Sequence, residues 1–200
     1  MLNASLQECL LETEALVMGA SAGAVDALNQ LLPVVAADAR IPVVVVVHLP
    51  ANRPSLLPEL FAPRCSARVL EPEDKQPMTA GSIWFAPSNY HLLFEANRSF
   101  AFSTDLPVNF SRPSLDVSFE SAADVFGERL CCVVLTGAND DGARGASVVR
   151  EKGGLVIVQD PTSAEAKQMP TAAISRANPQ IIAPLPEIAE LIRLATRAAP

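Results

Sequence analysis

The sequence predicts an α/β domain: a doubly wound, mostly parallel sheet with helices on both faces and a small antiparallel β meander. Three observations predict it. Uninterrupted apolar runs at 43–47 (VVVVV), 130–135 (LCCVVL) and 155–159 (LVIVQ) lack the alternation of a half-solvated strand, as expected of strands buried on both faces of a parallel sheet. Between them stand stretches with apolar residues at helical spacing. Turn formers and reactive side chains cluster just after the runs, on the rim where open α/β sheets bind their ligands.

The elements follow in order. Leu6, Leu10 and Leu11 stand near helical spacing and predict a short entry helix within residues 1–14, a lead segment ahead of one domain over 15–198. An apolar strand at 15–18 runs into small residues, and Val25, Leu28, Leu31 and Leu32 then share one helical face up to Pro33. The β-branched run at 43–47 is the next strand, with His48 at its carboxyl end. A helix from Ser55 to Phe61 and a strand near 67–70 repeat the pattern. Short runs at 82–86, 91–95 and 100–103, separated by PSNY and ANRS, predict the antiparallel meander. Pro113 suits the first turn of a helix whose stripe is Leu115, Phe119, Ala122, Ala123 and Phe126. After the strand at 130–135, TGANDDGARG opens a helix that runs to Lys152 and closes at Gly153 and Gly154. The strand at 155–159 leads into DPTSAEAKQMP, read as a loop, and a helix around Glu187 to Arg197 ends the domain.

With 200 residues, 50% of them hydrophobic, the chain suffices for one compact core. A formal charge of −7 with no basic cluster argues against a nucleic-acid partner, because phosphate neutralisation needs lysine and arginine. Cys9, Cys65, Cys131 and Cys132 have no zinc-ligand spacing and are read as free thiols, the last two as small hydrophobes facing opposite sides of a strand. No basic n-region precedes the apolar part of the amino terminus, and no run is long enough to span a bilayer, so a cytoplasmic protein without membrane insertion is expected.

Residues 15–24, ALVMGASAGA, are the stretch the chain is organised around. Gly19, Ala20, Ala22 and Gly23 permit a sharp strand-to-helix turn that lifts the Ser21 hydroxyl clear and leaves backbone N–H groups beside it, as a nucleophile requires. The same residues also approximate a phosphate-cradling dinucleotide turn, and a plain glycine turn is a third reading. What joins the parts is the rim. Ser21 follows the first strand, His48 the second, and Asp140 and Asp141 the strand at 130–135, so hydroxyl, imidazole and carboxylate emerge together. A ribose-binding acid is expected where the chain has His48, which weakens the nucleotide reading. His91, inside the meander, suits packing or hydrogen bonding.

The chain resembles the catalytic domain of the CheB-type protein-glutamate methylesterases of bacterial chemotaxis. The resemblance runs from about residue 15 to the last helix, through GASAGA, VVVVVHLP, WFAPSNYHLLF, SRPSLDVSFES, LTGANDDGARGA and VQDPTSAEAKQMP in order. It implies a serine esterase without metal or cofactor. Ser21 attacks the γ-methyl ester of a receptor glutamate, His48 acts as base and then acid, and Asp141 orients His48. Asp141 is chosen over Asp140 because it directly precedes Gly142, as in the family's Thr-Gly-Met-Gly-x-Asp-Gly turn. Backbone N–H groups at Ala22, Ala138 and Asn139 are the implied oxyanion and turn positions. The implied partners are methylated chemoreceptor helices or a related signalling protein, and deamidation of receptor glutamines is the companion reaction.

Three features depart from that pattern. Ala138 and Asn139 stand at the family's methionine and glycine, and Ala24 at a glycine of the serine turn. If the turn requires a positive φ, Asn139 is the non-glycine residue best suited to it. The family's usual phosphoreceiver domain has no counterpart in residues 1–14, so cis regulation by phosphorylation is not expected. These departures define the alternative: a catalytically degenerate module that binds a receptor or signalling partner.

Overall fold

The computed structural model describes residues 4–49 and 55–197. Residues 1–3 of the lead segment, Pro50 of the histidine motif and residue 198 of the expected domain lie outside the described residues. Nine strands are described: β1 (Ala15–Ala20), β2 (Val43–Val47), β3 (Arg68–Leu70), β4 (Ser82–Phe85), β5 (His91–Phe94), β6 (Phe100–Ser103), β7 (Leu130–Val134), β8 (Leu155–Gln159) and β9 (Ile181–Ala183). The helices are α1 (Ala4–Glu12), α2 (Ala24–Leu31), α3 (Leu57–Phe61), α4 (Leu115–Phe126), α5 (Ala143–Glu151), α6 (Gln168–Ala177) and α7 (Leu185–Thr196).

Seven strands form one parallel sheet in the order β3-β4-β2-β1-β7-β8-β9, and β5 and β6 pair antiparallel in a separate hairpin. Pleat alternation sorts the apolar runs into two layers. Leu16, Met18, Val43, Val45, Cys131 and Val133 pack with α2, α3 and α7. Ala15, Val17, Val44, Val46, Cys132 and Val134 pack with α4, α5, α6 and the hairpin. The two adjacent cysteines thus face opposite layers. Burial pushes the Cys131 thiol up to about 12 and that of Cys132 well up too, so both behave as small hydrophobes.

The doubly wound sheet matches the expectation, with three local corrections. The segment SIWF does not join an antiparallel meander; it is β4, parallel to β2 and β3. Its residues are buried on both faces, which is the signature of a sheet interior rather than of a hairpin. The polar loop DPTSAEAKQMP ends early, because α6 begins at Gln168, and β9 follows as a short edge strand. Met169, Ala173 and Ala177 form the buried stripe of α6, and Pro170 is tolerated because it lies in the first turn. Pro113 also stands outside its expected place: Ser114 is the N-cap of α4, so the proline precedes the helix.

The chain enters α2 from β1 on one face and α5 from β7 on the other. β1 and β7 are adjacent, so their carboxyl ends frame the crevice where connections diverge to opposite faces.

Candidate active site

Ser21 leaves β1 while still in the ladder: its N–H donates to the Thr136 carbonyl at 2.9 Å, and the His48 N–H donates to the Ala20 carbonyl at 3.3 Å. The register Ala20↔Val47 makes Ser21 and His48 neighbours on adjacent strands, which lie about 4.8 Å apart in a sheet. Ser21 continues the row of Ala15 and Val17, and His48 that of Val44 and Val46. Both are therefore carried toward the layer of α4, α5 and α6. Gly23, with φ 78°, takes the left-handed position that caps α2, so Ala24 enters the helix without strain.

His48 Nε2 lies 2.7 Å from Asp141 Oδ2, with Asp141 fully buried and the His48 side chain 11% exposed. Asp141 accepts several further bonds. Oδ1 takes Asn109 Nδ2 at 2.9 Å, Ser114 Oγ at 2.8 Å and the Asp116 N–H at 3.3 Å, while Oδ2 also takes the Leu115 N–H at 2.6 Å. Burial pushes the carboxyl up, but the bonds from His48, Asn109, Leu115 and Ser114 together outweigh it and hold it below the usual carboxylate range. An ionised carboxylate only accepts, so Nε2 of His48 carries a proton, and in the neutral imidazole Nδ1 keeps a free lone pair. That lone pair is the site's available base. Among the described residues Ser21 Oγ and the imidazole are not hydrogen-bonded to each other; such bonds commonly tighten only with substrate present.

A reciprocal cap holds this arrangement. Asp141, just before the α5 N-cap Gly142, takes the first N–H groups of α4. Asp116, in the first turn of α4, takes the Gly142 and Gly145 N–H groups of α5 on Oδ1 at 3.0 and 2.7 Å. Each carboxylate satisfies the orphan donors and the positive dipole end of the other helix. The Asn109 amide bridges both, reaching Asp116 Oδ2 at 3.0 Å. Burial pushes Asp116 up; the Gly145 N–H pulls it back, the Asp141 charge adds to the rise, and Arg144 and Asn109 oppose it.

The two helices can exchange caps only because α5 approaches α4 closely at Gly145. A Cβ there would stand 2.7 Å from Phe119 Cβ and 2.9 Å from the Asp116 carbonyl oxygen. Gly145→Ala is accordingly expected to push α5 away and cost about 1–3 kcal/mol, read as a lower denaturant midpoint at unchanged slope.

The structure separates the two candidate aspartates. Asp140 is exposed and accepts from Gln168 Nε2 at 3.0 Å, while Asp141 meets His48. Ala22 is exposed, and its carbonyl accepts from Thr136 Oγ1 at 2.9 Å. Ala138 is exposed too. Asn139 is half-buried and does not take a positive φ; its side chain turns inward on its own loop, where Oδ1 accepts the Asp141 N–H at 3.2 Å. His91 is buried, accepting the Ser114 N–H on Nδ1 at 3.2 Å and donating from Nε2 to the Leu106 carbonyl at 3.1 Å.

Sequence reasoning missed Asn109, Ser114, Asp116 and Thr136 as members of the site. Ser114 and Asp116 lie in SRPSLDVSFES, where a serine before an apolar stripe signals an N-cap, but nothing local points them at Asp141. Thr136 fastens the serine turn to the 160–168 loop, since its Oγ1 also accepts the Ala166 N–H at 2.9 Å. Among the described residues no group of three or more histidine, cysteine, aspartate or glutamate side chains is placed to hold a metal ion, and no helix is long and apolar enough to cross a membrane.

Comparison with known proteins finds that residues 16–192 match the family model described as CheB methylesterase. A relative from Leptospira interrogans (strain Fiocruz L1-130), named "Putative protein-glutamate methylesterase/protein-glutamine glutaminase", is 43% identical over 182 residues, covering 90% of this chain and 94% of the relative. The protein-glutamate methylesterase/protein-glutamine glutaminase of Trichodesmium erythraeum is 36% identical over 94% of this chain, which spans 54% of that longer relative. Among solved structures, the Thermotoga maritima CheB methylesterase catalytic domain superposes with a TM-score of 0.87 at 28% identity, covering 91% of this chain and 98% of that one.

Proposed function

The chain belongs to the CheB methylesterase family, and we propose that it hydrolyses protein γ-glutamyl methyl esters through Ser21, His48 and Asp141. One observation carries the assignment of roles: the short bond from His48 Nε2 to a buried, fully bonded Asp141, with His48 beside Ser21 in the register.

In the first half-reaction Ser21 Oγ attacks the ester carbonyl as His48 Nδ1 takes its proton. The developing imidazolium is stabilised by Asp141, which stays ionised. The oxyanion is received by backbone N–H groups of the turns around Ala22 and Ala138. Collapse breaks the acyl–methoxy bond, and methanol leaves with the proton from His48. Water then attacks the γ-glutamyl ester on Ser21, with His48 again as base, and the free glutamate departs. Hydrolysis of a glutamine carboxamide is the same acyl transfer with ammonia leaving. The substrate protein is a chemoreceptor whose methylated cytoplasmic helices reach the rim.

The test is incubation with membranes carrying methylated chemoreceptors, followed by rapid acid quench and peptide mapping. Methanol release with an acyl adduct on the peptide containing Ser21 is the expected result. Release with the adduct on another side chain would reject the assignment of the nucleophile.

A further inference from the structure

The loop between β6 and α4 displays an aromatic ring in an unfavourable backbone conformation beside the site. Val108 and Ser111 exchange both backbone hydrogen bonds, at 3.1 and 2.9 Å, around Asn109 and Phe110, which have φ values of 50° and 63°. Two central residues with positive φ make a type I′ turn, whose second central position favours glycine. A bulky aromatic there is an outlier. The strain is unrelieved by packing, because Phe110 is fully exposed, at 104% of its reference surface.

The surrounding loop is nonetheless firmly held. Arg112 Nη1 donates to the Thr104 and Asp105 carbonyls at 2.7 and 3.0 Å, and Nη2 to Asn89 Oδ1 at 2.8 Å. His91 fixes the Leu106 carbonyl, leaving the Leu106 side chain 85% exposed. Asn109, the residue before Phe110, is the one whose amide bridges Asp141 and Asp116. The ring is therefore tied through one side chain to the carboxylate that orients His48.

We propose that Phe110, with Leu106, is the docking contact for the protein that carries the ester, inserting between apolar side chains that flank the modified glutamate. The inference rests on the reading of the site as a protein methylesterase. A substrate that is itself a folded protein presents surface around the ester it offers, and this loop reaches the site through the Asn109 amide on Asp141. An uncovered ring held against its backbone preference is suited to pack on that surface. The occupant is apolar where it meets the ring, since the large exposed hydrophobic side chains of the loop are those of Phe110 and Leu106, with the charged Asp105 exposed beside them.

The probe is a fluorescently labelled, methyl-esterified cytoplasmic fragment of a chemoreceptor, with Kd read by anisotropy for the wild-type chain and for Phe110→Gly. Glycine removes the ring and suits the turn. Kd is expected to weaken about tenfold, a loss typical of truncating an interface aromatic, while Tm rises by about 2 °C as the strain is relieved. An unchanged Kd, a wild-type chain that does not bind the fragment, or a weaker Kd accompanied by a lower Tm overturns the proposal. Methanol release by the wild-type chain is scored separately. If release is normal while Phe110→Gly binds like the wild type, only the docking contact is rejected. If the wild type binds but releases none, the catalytic reading fails and Kd still decides this one.

Discussion

Ser21→Ala is expected to lower methanol release from methylated receptors by about 10⁶-fold in kcat, the scale seen when a serine nucleophile is removed from a hydrolase. The size follows from chemistry: without the hydroxyl no acyl-enzyme forms, and only direct attack by water remains. The fold should not notice. Ser21 contributes to the ladder through its backbone N–H, which alanine keeps, and its side chain lies in a turn of small residues. His48 and Asp141 stay paired, so thermal unfolding and receptor binding should match the wild type. Residual release close to the wild-type rate would show that Ser21 is not the nucleophile. It would leave the bond between His48 and Asp141 to be explained as part of the helix caps alone.

Asp141→Asn is expected to do two things at once: lower kcat by about 10⁴-fold and destabilise the fold by about 1–3 kcal/mol. Asp141 receives only donors, from His48, Asn109, Ser114 and two backbone N–H groups of α4. An amide must turn its NH₂ toward some of them. Facing His48 and Leu115, it meets a backbone N–H and favours the proton on Nδ1, which removes the lone pair Ser21 needs. Facing the other side, it meets Asn109, Ser114 and the Asp116 N–H. Neither orientation satisfies the set, so the loss is expected in both kcat and denaturant midpoint.

The pH dependence of stability provides the sign. The folded-state pKa of Asp141 lies below its unfolded value, so its contribution is fully present above the ordinary carboxylate range. It is lost as pH falls through the depressed folded value. Stability curves of wild type and Asp141→Asn should therefore run apart at neutral pH and converge in acid. Curves that stay parallel down to strong acid would contradict a depressed carboxylate at this position.

Much of the candidate site is legible in the sequence because it depends on local patterns. The apolar runs at 43–47 and 130–135 read as central strands, and side chains placed directly after parallel strands must emerge on one rim. That rim carries Ser21, His48 and the pair Asp140 and Asp141. Less legible was SIWF: four residues cannot declare whether their partner is a hairpin neighbour or a strand far away in the chain. Missing α6 had a different cause, since turn formers and Pro170 mask a three-residue stripe whose burial only the sheet creates.

The sequence by itself determined the doubly wound sheet, the small-residue turn that seats Ser21, and the order in which hydroxyl, imidazole and carboxylate reach the carboxyl edge. The family turn already singled out Asp141 beside Gly142; only the tertiary structure decided which donors surround its carboxylate and keep it ionised. The reason is the range of the interactions. Strand burial and helix periodicity are written in neighbouring residues, whereas Asp141 finds its partners across 93 residues to His48 and 26 to Leu115. The orphan N–H groups at the starts of α4 and α5 become available to its carboxylate and to that of Asp116 only once the two helices have packed against each other.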